Sequence, residues 1–375
     1  MSEKIWLSSP HVSGREMKYI EQAFSNNHVF PLGPNVKGFE EDLKQFTGAN
    51  FVTCLSSGTA ALHLALITLG VKSGDEVICS SFTFSASANP VKYVNATPVF
   101  VDSELETWNM DPVLLEQAIK DRINNGKKPK AIILVHLYGM PSQVDKILDI
   151  SQKYEIPLIE DAAEALGSKF KDQHLGTFGL MGILSFNGNK IITTSGGGAL
   201  MSREQEYCSK SLFFATQARD DAPHYQHSHI GYNYRMSNIS AGIGRGQMEV
   251  IDQRIEKRRE NHFYYKEKLK QLNDIMFLEE PDCNYYSNFW LTTLLINNKE
   301  KKKEDLRKFL EKFNIESRPL WKPMHLQPIF TDAPAYTNGT SENLFDTGLC
   351  LPSSSNITDE EREFVVKKII EFFKH

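Results

Sequence analysis

Four stretches of this chain carry residue types and spacings that can do chemistry. Ser56-Ser57-Gly58-Thr59-Ala60 combines small and hydroxyl side chains, which let backbone N–H groups approach an anion at a helix N-terminus. It reads as a phosphate seat or as a tight turn with Ser/Thr capping. The GxxxxGK[ST] and GxGxxG spacings are absent there, and Gly242, Gly244 and Gly246 lie in a helical pattern with no strand before them, so a nicotinamide cofactor is not expected. The second stretch, Leu158-Ile159-Glu160-Asp161-Ala162-Ala163-Glu164, closes an apolar run with three carboxylates beside small side chains. Desolvating that much charge is costly without a cation, which could be a metal, an arginine or a protonated heterocycle; acids decorating a helix start are the alternative.

Third, Ser185-Phe186-Asn187-Gly188-Asn189-Lys190 precedes Thr193-Thr194-Ser195-Gly196-Gly197-Gly198. A lysine among glycines, amides and hydroxyls just past an apolar strand is placed to act as a nucleophile or base, where an isolated lysine reads as surface. Fourth, Gly231-Tyr232-Asn233-Tyr234-Arg235 forms a polar aromatic loop. His224, His227 and His229 upstream of it suit no helix face and have no paired cysteine, so no metal is expected. Together these stretches ask for a ligand with a phosphate, a protonated ring nitrogen and a carbonyl that an amine can capture. Pyridoxal 5'-phosphate has all three.

The elements that must position these residues alternate. Apolar strands are expected at 51–55, 76–82, 98–102, 131–136, 157–160, 182–186 and 198–201. Between them fall helical patterns at 59–69 and 144–154, and one capped by Asp111 with Pro112 in its first position. Upstream, Ser13 with Glu16 makes a capping box for a helix at 14–25, and Val36, Phe39, Leu43 and Phe46 mark another. Strands apolar along their whole length predict an α/β fold with a mostly parallel sheet covered on both faces, whose ligands sit beyond the strands' carboxyl ends. After residue 250 long charged helical stretches take over, at 251–272 and around Leu306, Phe309, Leu310 and Phe313. This predicts a large domain over 1–250 and a smaller α+β domain over 251–375. The run Lys301–Lys303 reads as a solvated helix face.

A length of 375 residues fits two or so domains of about 150. Hydrophobic residues at 41%, charged residues at 24% and a net charge of −5 describe an ordinary globular protein without the basic footprint of nucleic-acid or anionic-membrane binding. The start Met-Ser-Glu-Lys-Ile-Trp lacks a secretory layout and no apolar run approaches the ~18 residues of a membrane span, so a cytoplasmic protein is expected. Five scattered cysteines without CxxC spacing read as buried thiols.

The ordered set SSGTAALHLAL, SSFTF, IEDAAEALGS, SFNGNK with TTSGGG, and GYNYRMSN resembles the DegT/DnrJ/EryC1/StrS nucleotide-sugar aminotransferases, fold-type I pyridoxal-phosphate enzymes, across nearly the whole chain. The resemblance implies that Lys190 carries the cofactor aldehyde and shuttles protons, and that Asp161 pairs with the ring nitrogen. It further implies that Gly58, Thr59 and Ser185 hold the phosphate with Asn233 of a second subunit, that Phe84 stacks on the ring, and that Glu164 lies near the ring hydroxyl. L-glutamate would donate the amino group, a 4-keto sugar nucleotide would receive it, and the enzyme would be a homodimer with shared sites. The related sugar dehydratases carry histidine in place of the lysine, which Lys190 argues against. A non-catalytic, regulatory cofactor binder is disfavoured by Lys190, Asp161 and Ser185 together.

Three positions depart from the commoner family pattern: Glu164 for histidine or glutamine, Asn187 for histidine, and Ser195-Gly196-Gly197-Gly198 for GEGG. Asn187 through Ser195, with Arg318-Pro319-Leu320-Trp321-Lys322-Pro323-Met324-His325, most resembles the subgroup aminating carbon 4 of UDP-4-keto-6-deoxy-N-acetylhexosamine. The GDP-perosamine-forming enzymes share much of the same text. Trp321 and His325, with Asn187, would face the sugar nucleotide; Trp321 as core and His325 as a loop hydrogen-bonder is the alternative.

Overall fold

Alternate residues of the central strands feed two different cores, which is why their interiors are apolar on both faces. Val77, Cys79, Ala131 and Ile133 pack into one, while Ile78, Ile132 and Leu134 pack into another on the opposite face. The computed structural model describes residues 3–298 and 300–374. Its large sheet has eight strands in the order Phe51–Leu55, Gly198–Ser202, Met181–Ser185, Leu158–Asp161, Ala131–Val135, Glu76–Ser80, Thr97–Val101 and Ala335–Tyr336. Only Gly198–Ser202 runs against the others. Leu55, Val135, Asp161 and Ser185 therefore end their strands at one edge, where Gly198 begins its own.

The expected elements form within a residue or two of their anticipated limits: the helices are Glu16–Ser25, Pro34–Thr47, Gly58–Thr68, Pro112–Asn124 and Val144–Tyr154. Asp111 accepts from the N–H groups of Val113 and Leu114, and Ser13 donates through both N–H and hydroxyl to Glu16. The glycines of the helix Asn238–Met248 serve close packing. A Cβ at Gly244 would lie 2.6 Å from the Phe39 ring, and one at Gly246 2.5 Å from the Glu16 backbone.

The C-terminal part builds a four-stranded antiparallel sheet from Ile275–Phe277, Thr292–Ile296, Gly348–Leu351 and Arg318–Pro319, backed by Ile251–Leu269, Lys303–Glu311 and Asp359–Lys374. The chain crosses residue 250 in both directions. Ile5 bridges to Ile315, and Ala335–Tyr336 returns to the large sheet beside Thr97–Val101. Asp102, buried at that strand's end, gathers the N–H groups of Asn338, Gly339 and Ser341 at 3.0–3.1 Å.

Two expectations need correcting. Lys301 turns back to donate to the carbonyls of Phe372 and Phe373, and the half-buried Lys303 sits 3.9 Å over the Phe345 ring, because folding the stems onto apolar surface is favourable even for a charged head. The cysteines are free, and four are buried, but Cys283 is exposed.

Buried histidines tie the fold's stability to pH. His262 lies flat on Phe289, ring centroids 3.7 Å apart, and burial, reinforced by Lys266 and Arg259, pulls its pKa from 6.5 to about 3. Below pH 6.5 the unfolded chain takes up a proton there that the folded chain refuses, so this contribution is intact above that pH and drains away toward pH 3. The slope is at most about 1.4 kcal/mol per pH unit. Thermal unfolding between about pH 7 and 5 should show a declining Tm, and His262→Phe should flatten the decline; identical slopes in the two proteins would contradict the assignment.

Candidate active site

Helix Gly58–Thr68 begins at the sheet edge, with the Ser57 hydroxyl accepting from Ala60 N–H at 3.0 Å. Its first-turn N–H groups have no acceptor within the helix and form an anion seat. The seat depends on missing side chains: a Cβ at Gly58 would lie 3.1 Å from that of Ser185, and one at Gly198 would lie 2.3 Å from Gly58 N. The Tyr234 carbonyl takes the Ser56 N–H at 2.7 Å, and Arg235 joins Glu40 to the carbonyl of Cys54, so the polar aromatic loop braces the seat from behind.

The carboxylates close the next strand. Asp161 accepts from Ser87 Oγ at 2.7 Å and from Ala163 N–H at 3.2 Å, and Thr83 Oγ1 pairs with Ser87 Oγ at 2.8 Å. Among the described residues Asp161 has no ion-pair partner. Glu160 points away to His136, at 2.9 Å, and to three backbone N–H groups. Glu164 accepts from Tyr138 N–H at 2.7 Å and lies 3.4 Å from Lys190 Nζ. Burial raises its carboxyl above the usual range, against the pull of Lys190 and of the Tyr138 N–H.

A cavity of about 320 Å³ unites these groups, within the usual span of small-molecule sites. Gly58, Thr59, Phe84, Asp161, Glu164, Ser185, Asn187, Lys190 and Trp321, all singled out in the sequence, line it. Phe84, 49% exposed, stands at the rim with its ring 5.2 Å from that of Trp321. Two selected residues lie elsewhere. Asn233 is exposed and bridges the backbone of Thr216, and His325 is tied to Ser81 Oγ at 2.6 Å and to Glu342 at 3.2 Å outside the cavity lining. His227 bonds the carbonyl of Gln217, His224 pairs with Gln226, and His229 packs its edge on Phe213.

Sequence reasoning missed Ser87, Thr83, Trp290 and Tyr138. Trp290 lines the cavity with its ring centroid 4.1 Å from Lys190 Nζ. Tyr138 lies between two tryptophans, its plane within 18° of Trp290 and 12° of Trp321, and its hydroxyl accepts from Trp321 N–H at 2.9 Å. It does so from a left-handed backbone, φ 55°, that nothing local in a tyrosine foretells.

An amine, a buried carboxylate without a cation, a helix N-terminus and an aromatic rim in one cavity fit the aldehyde, ring nitrogen, phosphate and ring face of pyridoxal phosphate. Fold and site together define a fold-type I pyridoxal-phosphate enzyme. Residues 10–370 match the DegT/DnrJ/EryC1/StrS aminotransferase family, and the chain belongs to it. A Bacillus subtilis (strain 168) protein assigned as the pyridoxal phosphate-dependent aminotransferase EpsN is 50% identical over 377 residues, covering 100% of this chain and 97% of its own. The GDP-perosamine synthase of Escherichia coli O157:H7 is 36% identical over 97% of each chain. Among solved structures, Spr1654 of Streptococcus pneumoniae, assigned as a sugar aminotransferase, matches in its pyridoxal-phosphate form with a TM-score of 0.89, 26% identity and 97% coverage of each chain. It also matches in its pyridoxamine-phosphate form with the same TM-score and identity, over 97% of this chain and 98% of its own. The protein is a pyridoxal-phosphate-dependent sugar aminotransferase.

One prediction tests the seat. Gly198→Ala places a methyl group against the Gly58 backbone, so the purified variant should lose bound cofactor and its visible absorbance while far-ultraviolet circular dichroism is kept. A fully loaded variant would show that the seat tolerates the methyl group.

Proposed function

We propose that the protein transfers the amino group of L-glutamate to carbon 4 of a 4-keto-6-deoxy sugar nucleotide, a UDP-linked N-acetylhexosamine, and works as a homodimer in which Asn233 reaches the partner's cofactor phosphate. The observation that carries this is Lys190 Nζ at 3.4 Å from Glu164 in the cavity that Asp161 and the start of helix Gly58–Thr68 also line. When bound, pyridoxal phosphate supplies an electron sink for the carbon that loses its proton. Lys190 holds the cofactor's reactive carbon, then takes and returns the proton at its Nζ. Asp161 keeps the ring nitrogen protonated, itself oriented by Ser87 and Ala163. Gly58, Thr59 and Ser185 bind the phosphate, and Phe84 covers the ring face.

The UDP assignment is supported by the Asn187–Ser195 and Arg318–His325 segments, and Asn187 and Trp321 line the same cavity as Lys190. His325 is bonded to Ser81 and Glu342 and is not proposed as a contact. A second reading, a GDP-4-keto-6-deoxymannose acceptor, is favoured by the 36% identity to a GDP-perosamine synthase. Glutamate assayed with UDP-, GDP- and dTDP-linked 4-keto sugars distinguishes the readings. Turnover with the UDP-N-acetyl sugar supports the first, and turnover with the GDP sugar alone replaces it with the second.

A further inference from the structure

A lysine that anchors the cofactor of a transaminase is set free in each cycle, because the nitrogen being moved takes its place. Two groups lie against that amine in the structure. Glu164 Oε1 lies 3.4 Å from Lys190 Nζ, and the Trp290 ring centroid 4.1 Å from it. Asp161 lines the same cavity, and the Arg258 guanidinium donates to the Lys190 carbonyl at 3.5 Å.

Trp290 is held at every polar edge. Its backbone N–H donates to Asn288 Oδ1 at 2.8 Å, its carbonyl accepts from the buried Arg258, and its indole N–H donates at 2.6 Å to the carbonyl of Asn189. That carbonyl belongs to the peptide group joining Asn189 to Lys190, and it also accepts from Ser8 Oγ at 2.6 Å. One side chain therefore grips the lysine twice, at its backbone through the indole edge and at its ammonium through the ring face. Only 1% exposed, the ring keeps water from that side of the amine. An ammonium over the face of a desolvated indole is attracted by the ring quadrupole.

We propose that Trp290 is a positioning residue whose indole face, together with the Glu164 carboxylate, forms a rest site for the released Lys190 ammonium, keeping it inside the cavity between the two half-reactions. This rests on Lys190 being the amine that carries the cofactor.

The test converts the holoenzyme with L-glutamate to its pyridoxamine-phosphate form, removes the glutamate, and follows acetylation of Lys190 by acetic anhydride with peptide mass spectrometry. In Trp290→Leu, Lys190 should acetylate about two- to fivefold faster than in wild type. Lys128, a surface residue whose side chain is 49% exposed, should react equally in both. Trp290→Phe keeps a weaker ring face and should fall between. kcat should drop in the same order with KM for glutamate unchanged. If the leucine variant does not fold, the phenylalanine variant decides by the same comparison. Equal acetylation across the folded proteins overturns the rest site. Borohydride treatment of the pyridoxal-phosphate form checks the anchor separately, since cofactor fixed to a lysine other than Lys190 would overturn the underlying assignment instead.

Discussion

Lys190→Ala is expected to lower turnover at least about 10³-fold, because the amine both holds the cofactor and moves the proton, and nothing else lining the cavity can do both. The fold should survive. The lysine lies on a loop after Met181–Ser185, and its Nζ meets the Glu164 carboxylate and the Trp290 ring. Glu164, already raised by burial, loses the cation that opposes that shift, so its carboxyl should rise further. The check is the glutamate half-reaction followed by absorbance, beside circular dichroism of the same sample. Folded protein with near-normal turnover would contradict the role.

Asp161→Asn should lower kcat by ~10²–10³-fold while cofactor content stays close to wild type. The amide oxygen still accepts from Ser87 Oγ, bonded at 2.7 Å in the wild type, and the longer bond from Ala163 N–H, at 3.2 Å, is the one given up. What goes is the negative charge that keeps the ring nitrogen protonated, and with it the electron sink on which carbanion formation depends. Lys190 and the seat at Gly58 remain to hold the cofactor. A variant that loses its colour would instead make Asp161 a binding residue, and an unchanged kcat would remove it from the chemistry.

How much of this could be read in the chain depended on whether a residue's task leaves a local trace. The central strands were legible because covering both faces of a sheet demands apolar runs bounded by turns, unbroken in Ala131–Val135. Lys190, Asp161 and Gly58 were legible for a related reason: each ends or closely follows a strand at the edge where parallel sheets hold ligands. Trp290 was not, since Asn288-Phe289-Trp290-Leu291 looks like any core segment and its task is set by Lys190 a hundred positions away. Ser87 did leave a trace in the hydroxyl-rich run from Ser80, whereas Tyr138 depends on a backbone conformation that its neighbours do not encode. For His325, residue type alone could not tell a ring facing the sugar from a loop hydrogen-bonder, and the structure bonds it to Ser81 and Glu342. The strand Ala335–Tyr336 is too short to carry a pattern; pairing with Phe100 and Val101 and the pull of Asp102 on the turn beyond create it.

That late strand has a bearing on how the polypeptide is made. The edge at Thr97–Val101 emerges from the ribosome more than two hundred residues before its partner, bare for all that time and offering unpaired backbone to any other nascent chain. Ile5 likewise waits for Ile315. Final assembly of this edge therefore waits until residue 336 has emerged, and early termination anywhere before residue 335 should yield sticky, chaperone-dependent fragments rather than a working enzyme.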